Sequence, residues 1–204
     1  MSGQENRPVS VDLETPELLH HLIKERYPGQ TVVTASLRSS SIVVLKMVSD
    51  IDPATPIIFC RRPPAFEEST EYRTRIVERL GLQNVTMNDG HEAEVKPGDK
   101  DHCEYMWVQY RVPGRSLQML HLNDCLAPYQ CWISAVYHQA QPSHLRSLME
   151  VEGKLTRIDP LAYWSKDDIR EFMSTHDLPY HKMAKKQYDQ SETKESGNIP
   201  TYHY

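Results

Sequence analysis

Residues 31–48, Thr-Val-Val-Thr-Ala-Ser-Leu-Arg-Ser-Ser-Ser-Ile-Val-Val-Leu-Lys-Met-Val, decide the fold class of this chain. The first four residues are mostly β-branched and predict a strand, whereas the apolar residues from position 42 onward recur at helical spacing. The small polar residues between them predict a tight loop that leads directly into a helix. In a parallel sheet such a loop follows the carboxyl end of a strand, where ligands usually bind.

The loop itself carries hydroxyl groups and one cation. Backbone N–H groups at a helix start attract anions, and Ser36, Ser39 and Ser40 add hydroxyls while Arg38 adds positive charge. These residues predict a phosphate or sulfate site. The other interpretation, that the serines only cap the helix, stays open because glycine, the usual residue of phosphate-binding loops, is missing here.

Strand and helix patterns alternate along most of the chain. This order predicts an α/β fold with a doubly wound, mostly parallel sheet and helices on both faces. Residues 1–184 are predicted to form a single α/β nucleotide-binding-like domain, followed by a polar C-terminal tail over 185–204. The predicted elements are strands 31–34, 56–60, 85–87, 131–136 and 155–158, helices 16–27, 42–50, 67–80, 116–126 and 165–175, an exposed loop 88–101 and an ambiguous segment 102–112.

Composition narrows the class of protein. The chain has 204 residues and a formal net charge of −5, so no overall field draws it to nucleic acid or to an anionic membrane. No apolar run approaches the ~20 residues that a membrane helix needs. The first residues lack the apolar core of a signal peptide, and the four cysteines do not form a dense disulfide framework. We therefore expect a cytoplasmic protein without a membrane or nucleic-acid partner.

Three further positions suggest chemistry at the same sheet edge. Cys60 ends the second predicted strand beside Arg61 and Arg62, whose charges would favour a reactive thiolate; a buried inert thiol is the alternative. The two arginines together with Arg38 could clamp an anion, or they could simply be solvated. His138 could donate to an anion. The cysteine and histidine spacings fit no standard zinc pattern, so no metal is expected.

Three segments of the sequence resemble the 3′-phosphoadenylyl-sulfate (PAPS) reductase family, which belongs to the adenine nucleotide α-hydrolase-like fold. Residues 36–41 stand where that family has Ser-Phe-Gly followed by small or polar residues. Residues 132–139, Trp-Ile-Ser-Ala-Val-Tyr-His-Gln, stand where it has Trp-Phe-Ala/Thr-Gly-Leu-Arg-Arg-Glu. Residues 158–169 resemble its Pro-Leu-x-x-Trp-Thr-x-x-Asp-Ile, and the resemblance as a whole covers roughly residues 30–190.

The resemblance implies a Rossmann-like protein of sulfur metabolism, related to oxidoreductases, that binds an adenine nucleotide or a related phosphorylated or sulfated anion. The sequence also departs from the family pattern. Arg38 replaces the loop glycine, residues 61–63 replace Asp-Thr-Gly, and residues 137–138 replace two arginines. The family's Glu-Cys-Gly-Leu-His nucleophile motif does not occur, and neither do the paired cysteines of its iron–sulfur branch. We therefore expect a divergent member without ordinary thiol-dependent PAPS reduction and without an iron–sulfur cluster.

Two other functions fit the same residues. One is a nucleotide hydrolase or transferase that relies on phosphate electrostatics and needs no thiol. The other is a non-catalytic module that binds a protein partner through residues 185–204. A homodimer is also compatible with the sequence.

Overall fold

The structure is a computed structural model that describes residues 14–60, 67–88, 92–94, 106–111, 117–135, 149–152 and 154–182. For residues 92–94, 106–111, 117–121 and 149–152 the description covers the backbone alone.

Helices and strands follow one another in the order that the sequence predicts for the first half of the chain. The elements are α1 (Thr15–His20), which continues as a π-helical segment (His21–Arg26), β1 (Thr31–Ala35), α2 (Ser39–Ile51), β2 (Ile57–Cys60), α3 (Glu67–Leu80), β3 (Val85–Asn88), β4 (Glu92–Glu94), β5 (Met106–Arg111), β6 (Leu117–His121), α4 (Asn123–Leu126), β7 (Cys131–Ser134), β8 (Met149–Glu152), β9 (Leu155–Ile158) and α5 (Lys166–Thr175).

A six-stranded sheet in the order β3-β2-β1-β7-β9-β8 forms the centre of the fold. Five of its strands run parallel, and β8 adds an antiparallel edge beside β9. From β1 the chain adds β2 and then β3 on one side of β1, and later adds β7 and then β9 on the other side. The predicted mostly parallel sheet is confirmed, and its strand order reverses between β1 and β7, which is where open α/β sheets bind ligands.

Among the described residues, the two faces of the sheet carry apolar clusters of unequal size. Val33, Ile57 and Ile133 point to one face, where they join a large apolar cluster with α1, α2, α3 and α5. Val32 and Trp132 point to the other face, where a smaller cluster forms around α4 and the residue that precedes it. Alternate strand residues face opposite sides, so the apolar runs of β1, β2 and β7 can fill both clusters.

Two predictions were wrong between residues 88 and 126: the expected loop 88–101 contains β4, and the first part of the expected helix 116–126 is strand β6, with α4 at its end. The segment 102–112, which the sequence left open between strand and helix, contains β5. These strands form a separate antiparallel sheet in the order β4-β6-β5. Residues 117–120, Leu-Gln-Met-Leu, are good helix formers, so their strand conformation follows from antiparallel pairing with β4 and β5.

The segment after α5 runs back along α3. The Arg79 guanidinium donates to the Asp177 carbonyl at 2.6 Å and to its carboxylate at 2.9 Å. The Tyr72 hydroxyl donates to the carbonyl of Pro179 at 2.6 Å. These contacts fix the last described residues to the face of the sheet that carries the large cluster. The predicted tail, 185–204, lies outside the described residues, and the domain division remains a prediction.

No helix in the described ranges is long and apolar enough to cross a membrane.

Candidate functional site

The connection from β1 to α2 lies at the point where the strand order reverses. Arg38 occupies the N-cap position in an extended conformation, and its carbonyl accepts the first helical hydrogen bond from the Ile42 amide at 3.1 Å. The amides of residues 39–41 precede that bond. The Arg38 side chain makes no capping hydrogen bond, since arginine has no acceptor group. The start of α2 therefore offers amide donors at the carboxyl edge of the sheet.

The serines hold the loop in shape instead of capping the helix. The Ser41 hydroxyl accepts the Ser36 amide at 3.0 Å and lies 2.9 Å from the Ser36 hydroxyl, which in turn accepts the Arg38 amide at 3.3 Å. The hydroxyls of Ser40 and Ser41 each donate to the Ala135 carbonyl at 3.4 Å. The capping interpretation is therefore wrong, and the loop is attached to the end of β7 across the reversal point.

A row of buried polar side chains lies on the sheet face that carries the smaller cluster. Thr34 of β1 pairs with Ser134 of β7. Ile133 of β7 pairs with Ile158 of β9, so the residue after each, Ser134 and Asp159, is next in the same register. All three are buried, at 0%, 1% and 7% exposure. The indole N–H of Trp132 donates to the Thr34 hydroxyl at 2.7 Å. A buried polar row is unusual, so its position at the carboxyl ends of three adjacent strands marks this edge as the polar end of the sheet.

An ion pair ends that row. The Arg157 guanidinium lies 3.1 Å from the Asp159 carboxylate and 5.2 Å from the centroid of the Trp132 ring. Thr34, Ser134 and Asp159 were not among the site residues predicted from the sequence. The signal that could have revealed them is a polar residue at or just after the end of three predicted parallel strands.

Burial dominates the chemistry of Cys60 at the end of β2. It raises the pKa of the Cys60 thiol far above the ordinary range, and the neighbouring Cys125 thiol adds to the effect. Burial also raises the pKa of Cys125, and that of Cys131 to about 12. This direction favours the inert-thiol interpretation of Cys60; Arg61 and Arg62, the cations expected beside it, lie outside the described residues. At neutral pH, Cys60, Cys125 and Cys131 are protonated thiols, which are weak nucleophiles.

A family model described as the phosphoadenosine phosphosulfate reductase domain matches residues 30–190. The chain belongs to the PAPS reductase family. The resemblance seen in the sequence is thereby confirmed. In this family member the serine-containing loop between β1 and α2 lies where the strand order reverses.

Curated relatives of this PAPS reductase family member are distant but cover most of it. An adenosine 5′-phosphosulfate reductase of Mesorhizobium japonicum is 26% identical over 81% of this chain, which spans 65% of that enzyme. One of Chelativorans sp. is 26% identical over 84% of this chain and 76% of the enzyme. A phosphoadenosine 5′-phosphosulfate reductase of Alkalilimnicola ehrlichii is 23% identical over 76% of the chain and 65% of the enzyme.

A solved structure shows the same fold. The PAPS reductase of Candida auris, determined as a phosphate complex, superposes with a TM-score of 0.56 at 16% identity, covering 87% of this chain and 86% of that one.

The structure brings part of the predicted site together. Ser36, Arg38, Ser39 and Ser40 form the loop and first turn at the reversal point, with Arg38 exposed. The other predicted binding residues, Arg61, Arg62 and His138, lie outside the described residues, so the anion clamp remains a prediction. Within the described ranges, no group of three histidine, cysteine, aspartate or glutamate side chains is arranged to hold a metal ion.

Proposed function

We propose that this PAPS reductase family member binds an adenine nucleotide carrying phosphate or sulfate groups between the β1–α2 loop and the end of β7. The observation that supports this most is the loop attached through Ser40 and Ser41 to the Ala135 carbonyl across the reversal point. That attachment holds the start of α2, whose N-cap residue Arg38 makes no capping hydrogen bond, at the carboxyl edge, where its amides and the Arg38 guanidinium can meet an anion.

The names of the relatives agree with this ligand class. Adenosine 5′-phosphosulfate and its 3′-phosphorylated form both combine an adenosine with anionic groups, which suits a site that has amide donors beside a buried polar row. The Thr34–Ser134 pair lies one step inside the loop and would border the nucleotide on its sheet side.

We further propose that Cys60, Cys125 and Cys131 do not reduce this ligand. Attack on a sulfur atom requires a thiolate, and burial raises the pKa of each of these thiols. The same observation favours a second candidate, hydrolysis or transfer at the phosphate. That chemistry depends on donors aimed at developing negative charge, which the loop supplies without a thiol.

Calorimetry with adenosine 5′-phosphosulfate, PAPS, AMP and ATP tests the binding site. A charge-assisted hydrogen bond contributes roughly 1.5–3 kcal/mol, so Arg38→Gln should weaken binding by about tenfold or more. Lys154→Gln is the matched control, because Lys154 is exposed and lies where β9 begins, at the opposite edge of the sheet. No binding of any of these nucleotides at millimolar concentration, or equal affinity in Arg38→Gln and the wild type, would refute the site.

Product analysis separates the two reactions. Sulfite release with thioredoxin that disappears in Cys60→Ser would contradict the proposed inertness of this thiol. Release of AMP and sulfate from adenosine 5′-phosphosulfate, or of AMP and pyrophosphate from ATP, unchanged in that variant, would support the thiol-independent candidate.

A further inference from the structure

A cleft of about 440 Å³ lies along one side of α5, separate from the residues of the proposed nucleotide site. Its volume falls in the range of pockets that bind small molecules or side chains. Four of its lining residues recur three or four positions apart on the helix and so form one stripe beside the buried residues Ile169 and Met173. The lining residues are Trp164, Asp168, Glu171, Phe172, Thr175 and His176.

Three aromatic rings form a continuous row in this cleft. The Trp164 and Phe172 rings meet edge to face with centroids 5.8 Å apart, and the Phe172 and His176 rings lie 4.1 Å apart at 37°. The Trp164 indole donates to the Thr15 hydroxyl at 3.3 Å, which fixes the ring against α1. Trp164 and Phe172 are only partly covered by the core. Their remaining ring surface is available to a ligand.

Two carboxylates border the aromatic row. Asp168 accepts the Ser165 amide at 2.7 Å, and this backbone hydrogen bond is the main reason that its pKa is lowered. Glu171 is exposed one helical turn further along. Among the six lining residues there is no lysine or arginine, so the cleft combines two negative charges with electron-rich ring faces. An organic cation is the ligand that satisfies both features, through ion pairing and cation–π contact.

We propose that this cleft binds a basic side chain, arginine or lysine, presented by an extended segment of a partner polypeptide. The stripe from Asp168 to Thr175 is about 10 Å long at 1.5 Å per residue, which matches about three extended residues. The cleft is therefore longer than a single guanidinium group. The remaining length can accommodate the peptide backbone on either side of the arginine or lysine. This proposal does not depend on the proposed nucleotide function.

The probe is a capped peptide, acetyl-Gly-Arg-Gly-Arg-Gly-amide, with a citrulline peptide of the same length as its uncharged counterpart. The indole N–H resonance of Trp164, one of three tryptophans in the chain, is assigned by its loss in Trp164→Phe. Titration of the wild type should shift this resonance to saturation with the arginine peptide, whereas the citrulline peptide should bind at least tenfold more weakly. Free arginine should bind at least threefold more weakly than the peptide.

Glu171→Gln tests the charge and should weaken binding of the arginine peptide at least threefold. Glu78→Gln is the matched control, because Glu78 is exposed on α3 and its replacement changes the net charge equally. Both residues are exposed, so neither variant should disturb the fold. Equal binding of the arginine and citrulline peptides, or equal weakening by the two variants, would overturn the proposal. Free arginine that binds as tightly as the peptide would overturn the assignment to a polypeptide.

Discussion

Among the described residues, the two faces of the central sheet differ in the size of their apolar clusters and in the buried polar side chains that they carry. On the face toward α1, α2, α3 and α5 the strands contribute residues such as Val33, Phe59 and Ile158, all part of one large apolar cluster. On the face toward α4 a small cluster gives way to Thr34 and Ser134 at the carboxyl end. Among the described residues, the first face carries the larger number of buried apolar side chains, whose burial favours folding. The second combines a smaller apolar cluster with a row of buried polar side chains.

Removing matched leucines from the two faces should produce the largest effect. Leu45 of α2 and Leu126 of α4 are almost fully buried, at 0% and 1% exposure. Leu→Ala changes typically cost about 2–5 kcal/mol, and the cost rises with the cavity that remains. We expect Leu45→Ala to lie at the upper end of that range and Leu126→Ala at the lower end, measured by urea denaturation. Equal losses would show that the two clusters contribute equally to stability.

The polar row on the second face should be sensitive to loss of one acceptor. Thr34→Val keeps the shape of the side chain but leaves the Trp132 indole N–H without its 2.7 Å partner. An unsatisfied buried donor costs about 1–3 kcal/mol of unfolding free energy. Thr86→Val makes the same change at an exposed residue of the edge strand β3, where the hydroxyl donates one long hydrogen bond of 3.4 Å to the Ile57 carbonyl, and should alter stability by less than about 0.5 kcal/mol. A neutral Thr34→Val would mean that the row tolerates apolar replacement.

The start of α5 offers a smaller test on the first face. The Ser165 hydroxyl accepts the Asp168 amide at 3.1 Å, and the Asp168 carboxylate accepts the Ser165 amide. Ser165→Ala should therefore cost about 1 kcal/mol, whereas Ser174→Ala, near the other end of α5, should cost much less. Thermal unfolding of both variants measures the difference. Unchanged nucleotide affinity in Ser165→Ala would show that the first face can be weakened without affecting the proposed site.

The smallest expected effect is a pH dependence at His181. Its Nε2 lies 3.2 Å from the Ser69 hydroxyl, and its ring meets Tyr72 edge to face at 5.0 Å. Burial lowers the pKa of His181 below 6.5, with Glu68 opposing and Arg75 reinforcing the shift. The unfolded chain therefore binds this proton more readily, so the contribution of neutral His181 is lost as pH falls from about 7 through the lowered pKa.

Unfolding free energies at pH 7.5 and pH 5.5, compared between the wild type and His181→Gln, isolate this contribution. The wild type should lose more stability on acidification than the variant does. An identical loss in both proteins would exclude a role for His181.

Local patterns predicted the fold wherever neighbouring residues determine the outcome. The run from β1 into α2 and the helix at residues 67–80 were found because periodicity and stop signals lie within each segment. The strands β4 and β6 were missed and β5 was left open between strand and helix, because these strands are stabilised by pairing with one another more than by their own local propensity.

The candidate site likewise contains residues that the sequence predicted and residues that it did not. Ser36, Arg38, Ser39 and Ser40 were found together because they are contiguous. The row of Thr34, Ser134 and Asp159 depends on strand register, which the sequence does not state. The sequence left Cys60 open between a reactive and an inert thiol, because adjacent charges are visible in a sequence whereas burial is a property of the folded chain.

The segment that follows α5 has a mechanical consequence. Its contacts with α3 follow one another along the helix, from Asp177 near the end of α3 to His181 near its start. A force applied at Lys182 would break these contacts one after another, first that of His181 and last that of Asp177. The segment would therefore detach from α3 before β9 is pulled out of the sheet. In an optical trap, a small extension step should precede the rupture of the sheet, and Tyr72→Phe should shorten the lifetime of the state before that step.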